Sequence, residues 1–186
     1  MNSQADNILQ NQSGDLPVTP VDLLGFFDKI GVNYTVYKHE PVFSVAESTH
    51  LTETIPGVHC RNLFLRDKKK KMFLVVLANE TAVDLKGLQA ILNSDRLSFG
   101  SADRLWEYLG VRPGSVCPFA VMNDKDNVVT IILDAHMIGA ELVCYHPMEN
   151  HMSVTLTPSD LLKFLAAVNH VPVILDLAQA AQGDEV

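Results

Sequence analysis

Four stretches of this 186-residue chain gather groups able to do chemistry. The first, Gly57-Val-His-Cys-Arg-Asn-Leu-Phe-Leu-Arg-Asp67, runs from polar to apolar. Arg61 and Asn62 stand at its strand-like head, where a cationic fork and an amide can point into a pocket and hold a phosphate or an ester. Equally, both can be solvated strand-end residues. The second is Arg112-Pro-Gly-Ser-Val-Cys-Pro118, in which Gly114 and Ser115 permit close backbone approach and expose amide donors. Such a loop suits an oxyanion hole or a grip on a ligand carbonyl, and an ordinary helix-to-strand connection has the same composition. The third centres on His146 in Cys144-Tyr-His-Pro-Met-Glu-Asn150. A neutral imidazole there can orient a hydroxyl or a water, or simply serve the fold. The fourth is the run Lys68, Lys69, Lys70, Lys71 beside Arg66, four consecutive cations able to meet an RNA backbone or to keep a hairpin tip solvated.

Other chemistries lose support. The chain has no GxGxxG, GxxxxGK[ST], HExxH or GxSxG, which weighs against nucleotide hydrolysis, zinc proteolysis and serine-hydrolase catalysis. His39, His59, His136, His151 and His170 lack ligand spacing, so no metal and no cofactor is expected. Cys60, Cys117 and Cys144 are odd in number and far apart, so they read as reduced thiols rather than a disulfide framework or a zinc site. Cys60 and Cys117 have no evident His partner, which counts against a thiol nucleophile. A net charge of −8 opposes a general nucleic-acid coat but leaves room for a local basic patch. With 47% hydrophobic and 19% charged residues the chain can bury a core. It shows neither a run of about 18 apolar residues nor a secretory signal, so a soluble cytoplasmic protein without membrane attachment is expected.

The elements that must position these groups follow from caps and periodicity. Residues 1–18 are polar and read as a flexible leader, 19–177 as one domain and 178–186 as a polar tail. Thr19 caps a helix that starts at Pro20 and stops at Gly31. A short strand around Tyr34 and Val36 follows, and Ser44 with Glu47 has the spacing of a capping box for a helix over 45–52. Residues 62–66 and 72–77 form a hairpin at the centre of a sheet. Helices are expected after Asp84 and Ser101. Residues 119–122 and 128–133 read as a second hairpin, residues 141–145 and 152–156 as further strands, and Thr157-Pro158 opens a last helix. The irregular interleaving predicts an α+β domain with a mixed, mostly antiparallel sheet.

Taken in order, Lys38-His-Glu-Pro-Val-Phe-Ser-Val, Gly57-x-His-x-Arg-Asn-Leu-Phe-Leu-Arg-Asp-Lys-Lys, Gly114-Ser-Val-x-Pro-Phe-Ala-Val-Met-Asn-Asp and Tyr145-His-Pro-Met-Glu-Asn resemble the free-standing prolyl-tRNA editing proteins of the YbaK and prolyl-tRNA-synthetase-associated domain group. The resemblance spans about residues 19–177. It implies a single domain with a curved, barrel-like sheet flanked by helices, and hydrolysis in trans of mischarged tRNA(Pro), most often carrying alanine and in some relatives cysteine. It implies tRNA(Pro), and through it prolyl-tRNA synthetase, as partners, and no DNA. The roles it suggests are catalysis by Asn62, Gly114, Ser115 and His146, substrate binding by Arg61, Val116 and Pro118, and tRNA binding by Lys68 to Lys71. The family pattern has Lys where this chain has Arg61. Arginine keeps the charge but is planar and does not serve as a neutral base, so it fits holding or orienting and not proton abstraction. That departure also leaves open a module that senses aminoacyl-tRNA or an amino acid without hydrolysis.

Overall fold

Thr19 starts the first helix for a local reason. Its hydroxyl accepts from Asp22 N at 3.2 Å while the Asp22 carboxylate accepts from Thr19 N at 2.9 Å, a reciprocal capping box with Pro20 at the first helical position. Helix α1 (Pro20–Ile30) ends at Gly31, whose φ of 68° is the left-handed conformation that glycine adopts without cost. The computed structural model describes residues 16–41 and 49–181. Both residues of the expected Ser44–Glu47 capping box lie outside that range; the helix there, α2, is described over Thr49–Thr54. Side-chain caps also open α3 (Leu85–Ile91) at Asp84, α4 (Ala102–Leu109) at Ser101 and α6 (Pro158–Ala167) at Thr157, with the four-residue α5 (Ala135–Ile138) between α4 and α6.

Among the described residues eight strands form one mixed sheet: β1 (Tyr34–Lys38), β2 (Val58–Arg66), β3 (Met72–Ala78), β4 (Ser98–Phe99), β5 (Val129–Asp134), β6 (Val143–Tyr145), β7 (Met152–Leu156) and β8 (Val173–Leu175). Their order is β1-β7-β6-β2-β3-β5-β8, with β4 added to β2. The expected central hairpin is β2–β3, paired from Cys60↔Ala78 to Arg66↔Met72. Four strand pairs are antiparallel and three parallel, β2–β6, β3–β5 and β5–β8. The nine-residue β2 carries β3 along one edge. Its other edge is divided between β6, at Val58 and His59, and β4, at Leu65 and Arg66. Gly57 lets β6 come this close. Its φ is +100°, a Cβ there would lie 3.0 Å from the Leu142 carbonyl, and Val58 N donates to Leu142 O at 2.8 Å.

Every residue of β3 is buried, because both faces of the sheet are covered. Met72, Leu74 and Val76 join the larger core with Phe27, Phe119 and Phe164, three rings packed edge to face at centroid distances of 5.1–5.5 Å. Phe73, Val75 and Leu77 join the second core under Leu88, Leu97 and Leu177. Packing extends past both ends of the expected 19–177 span: Leu16 and Val18 lie against the larger core, and Ala180 is buried in the second within a 3₁₀ helix, Leu177–Ala181.

One expectation is corrected. Residues 119–122 are not a strand hairpinned to 128–133; they belong to a 3₁₀ helix, Pro118–Asn123, and the strand β5 pairs in parallel with β3. Asp124 directs the change. Its carboxylate accepts from Val128 N and Val129 N at 3.0 and 2.8 Å, using up the local turn donors, and also meets His170 Nε2 at 3.2 Å with both side chains 3% exposed.

Candidate active site

Alternation along β2 decides which candidate residues share a surface. Cys60 and Phe64 face the larger core and Leu63 and Leu65 the second, so Asn62 and Arg61 project to opposite faces and are not brought together. Asn62 Nδ2 donates to Val116 O at 2.9 Å, which ties the strand to the loop carrying Gly114 and Ser115. Its other amide atom, Oδ1, is buried with no hydrogen-bond partner. A buried acceptor in that condition costs about 1–3 kcal/mol until a donor, whether a water or a ligand group, reaches it. The loop itself turns at Gly114, φ 89°, and Ser115 N donates to Arg112 O at 3.0 Å. Ser115 is buried, Val116 is half-buried, and Pro118 is buried at the first position of the 3₁₀ helix, where it fixes the exit from the loop.

Arg61 is engaged elsewhere. Nη1 donates to Asn79 O at 3.1 Å and Nη2 to Thr81 O at 2.7 Å, so the guanidinium fork pins the turn after β3. Thr81 is held in turn through its hydroxyl, which donates to the fully buried Asp134 at 2.6 Å. Arg61→Ala should therefore lower unfolding stability by about 1–3 kcal/mol, and Arg61→Lys should recover only part of it, because one ammonium cannot reproduce the fork. Urea denaturation of both variants measures this.

His146 follows β6 on the face opposite the larger core, since Tyr145 faces that core and Cys144 does not. Its ring stands 6.0 Å from that of His39, and Nδ1 is 3.1 Å from Met152 O, which assigns the proton to Nδ1 and leaves Nε2 as an acceptor. His39 in turn contacts Ser153 Oγ at 2.9 Å. Burial, aided by the positive potential of His39 and His59, holds the His146 pKa below the ordinary 6.5 against the pull of the Met152 carbonyl. A depressed folded-state pKa means that the unfolded chain binds the proton more readily. The stability contributed by neutral His146 is thus present above about pH 6.5 and falls away as pH drops through the lower folded value. Unfolding measured at pH 7.5 and pH 5 should show this acid loss, and His146→Gln should reduce it.

The Gly114–Ser115 loop and the segment after His146 meet. Arg112 and Ser115, Met148, Glu149, Asn150 and His151, with Leu16 and Pro41, line a groove of about 170 Å³. Arg112, Glu149 and Asn150 lie within the motifs read in the sequence and His151 directly after one, yet nothing in their spacing singles them out. The Lys68–Lys71 run is exposed at the turn between β2 and β3, capped by the buried Asp67, whose Oδ1 accepts from Lys71 N at 2.9 Å. It is remote from Asn62: four strand residues, about 13 Å, separate Asn62 from Arg66.

Thiol catalysis finds no support. Burial raises Cys60 to about 12, and Cys117 and Cys144 to about 11 each. At pH 7.5 fewer than about one thiol in 1,000 is ionised, so the folded protein should resist iodoacetamide at that pH, with mass spectrometry of the intact chain as the readout. Among the described residues no group of three or more His, Cys, Asp or Glu is placed to hold a metal ion, and no helix is long and apolar enough to cross a membrane.

The mixed sheet and its flanking helices are a fold shared with solved structures. A hypothetical protein superposes with a TM-score of 0.67 at 15% identity, covering 86% of this chain and 99% of its own. A protein provisionally assigned as a trans-editing enzyme for prolyl tRNA synthetase does so with a TM-score of 0.66 at 16% identity, covering 88% and 98%. At such identities the likeness is one of fold. The model of the aminoacyl-tRNA editing domain matches residues 39–164, which contain every candidate site residue, and the chain belongs to that family. The prolyl-tRNA editing protein ProX of Acetoanaerobium sticklandii is 38% identical over 141 residues, 75% of this chain and 86% of its own. The prolyl-tRNA synthetase associated domain-containing protein 1 of Danio rerio is 35% identical over 171 residues, 89% and 93% of the two chains.

Proposed function

We propose that this protein is a trans-editing deacylase that hydrolyses the aminoacyl ester of mischarged tRNA(Pro), with Ala-tRNA(Pro) as its preferred substrate. The observation that carries this reading is the buried, unpartnered Oδ1 of Asn62 beside the backbone of the Gly114–Val116 loop, within a family whose members edit aminoacyl-tRNA. Water attacks the ester carbonyl carbon, and the bond to the terminal ribose oxygen breaks. One water proton goes to that oxygen and the other to solvent, leaving free alanine carboxylate and uncharged tRNA. Backbone amides of the loop at Gly114 and Val116 stabilise the oxyanion, Ser115 N being committed to Arg112 O, because fixed donors in a site poor in water need no reorganisation as charge develops. Asn62 holds that loop through Nδ2 and accepts a substrate donor on Oδ1. His146 stands on the face opposite Asn62 and acts as a positioning residue: its Nδ1 donates to Met152 O and holds the 148–151 segment that borders the Gly114–Ser115 loop. Val116 lines the site and Pro118 sets its shape, and selection against proline is steric: a pocket for a methyl excludes a ring. Arg61 acts from the opposite face as a positioning residue through Asn79 and Thr81. Lys68 to Lys71 meet the RNA backbone.

Release of amino acid from Ala-, Cys- and Pro-tRNA(Pro), measured beside binding of the same charged tRNAs, tests the reading. Release of alanine supports it. Preferential release of cysteine keeps the reaction and changes the substrate, and binding with every ester intact makes the protein a sensor instead.

A further inference from the structure

A second basic surface lies beside the lysine turn and contains an aromatic ring that the fold leaves in solvent. Phe99 is 64% exposed, although its backbone is firmly placed: Phe99 pairs with Leu65 of β2, Gly100 N donates to Phe64 O at 2.9 Å and Ser98 Oγ to Arg66 O at 3.3 Å. Gly100 is needed for this approach, since a Cβ there would come within 2.4 Å of the Phe64 ring. The ring borders a groove of about 410 Å³ lined by Arg66, Lys68 and Arg96 together with the apolar Leu85 and Leu97. Arg66 Nε is buried and has no hydrogen-bond partner. With Lys69, Lys70 and Lys71 adjoining, six of the chain's 14 Lys and Arg residues gather here in a protein of net charge −8. The neighbouring acids offset this only in part: Asp67, 3% exposed, caps the turn and lines the groove, and Asp95 is paired with Lys69 at 3.1 Å, which leaves four of the six cations in excess.

A rigid exposed ring among cations is the combination by which proteins hold single-stranded nucleic acid, the ring stacking on a base and the cations meeting the flanking phosphates. We propose that Phe99 is a stacking platform for an unpaired nucleobase of the RNA substrate, with Arg66, Lys68 and Arg96 holding the adjacent phosphates. The proposal rests on the reading of aminoacyl-tRNA as substrate. The platform sits at the far end of β2 from Asn62, so the stacked nucleotide is not the one that bears the ester. The exposed ring favours RNA over an acidic protein surface, because the cations would serve either partner whereas a base also occupies the ring.

The test is binding of uncharged tRNA(Pro) transcript and of a single-stranded RNA hexamer to the full chain, by fluorescence anisotropy across a salt series. Phe99→Ala should weaken both by about 5- to 150-fold with the salt slope unchanged, while Phe99→Tyr, which keeps the ring, should bind as wild type does. Arg96→Ala should lower the salt slope by about one. Alanine release from 3′-alanyl-adenosine, which is too small to reach the platform, should be unaffected by Phe99→Ala. Wild-type RNA affinity in Phe99→Ala overturns the proposal, as does loss of prolyl-tRNA synthetase binding with RNA affinity intact, which makes the surface a protein interface. If the wild type releases alanine from neither the small ester nor Ala-tRNA(Pro), the deacylase reading fails, and the RNA-binding result still decides the role of Phe99.

Discussion

Asn62→Ala should lower kcat/KM for alanine release from Ala-tRNA(Pro) by about 10²- to 10³-fold, the scale of removing one preorganised polar group from an oxyanion site. Two losses combine. The Nδ2 donor to Val116 O disappears, freeing the loop that carries the proposed amide donors, and the buried Oδ1 acceptor disappears with it. A displacement of the loop by about 1 Å is enough to cost 10²-fold, because the donors must meet the oxyanion and not the ground-state carbonyl. Asn62→Asp distinguishes geometry from bulk. It preserves size but sets a carboxylate against the Val116 carbonyl, so it should be at least as damaging as alanine. Stability should change little, since one neutral hydrogen bond contributes about 1 kcal/mol. Single-turnover deacylation beside urea denaturation separates the two effects.

Asp124→Ala is expected to act in the opposite sense, on the fold and not on the chemistry, with a loss of about 3–5 kcal/mol of unfolding stability. The carboxylate is buried and serves three groups: Val128 N, Val129 N and His170 Nε2. Its removal leaves the Val129 amide and the buried imidazole without their acceptor, each such orphan costing about 1–3 kcal/mol. The joint between the 3₁₀ helix and β5 loosens, and the turn after α6 loses its tie through His170. Asp124→Asn keeps one acceptor and should lose less. The midpoint and slope of urea unfolding measure this, and kcat/KM of the folded fraction should stay near wild type.

The contrast between these residues shows what the sequence could convey. Thr19, Asp84, Ser101 and Thr157 are legible because a cap and its partner lie three residues apart, and the β2–β3 hairpin because its polar turn is flanked by two apolar runs. The parallel pairs β3–β5 and β5–β8 join distant segments, and β8 is three residues with two exposed apolar side chains, so neither leaves a local mark. Residues 119–122 have strand-like composition, and only the remote His170 reveals that Asp124 is committed to a buried contact. The site was legible in part. Asn62 and the Gly114–Val116 loop do meet, as their residue types suggested. Arg61 and Asn62 do not share a surface, because adjacent strand residues face apart and both faces of this sheet are covered. Its partners are backbone carbonyls, which any sequence supplies.

The central claim is that the site breaks the ester of an alanine on tRNA(Pro) and spares proline. The most direct measurement is a single-turnover time course with excess enzyme on Ala-tRNA(Pro) and Pro-tRNA(Pro) side by side. The account predicts rapid release of alanine with prolyl-tRNA(Pro) intact over the same period. Equal release of both would contradict the steric basis of selection, and no release of alanine would contradict the catalytic reading itself.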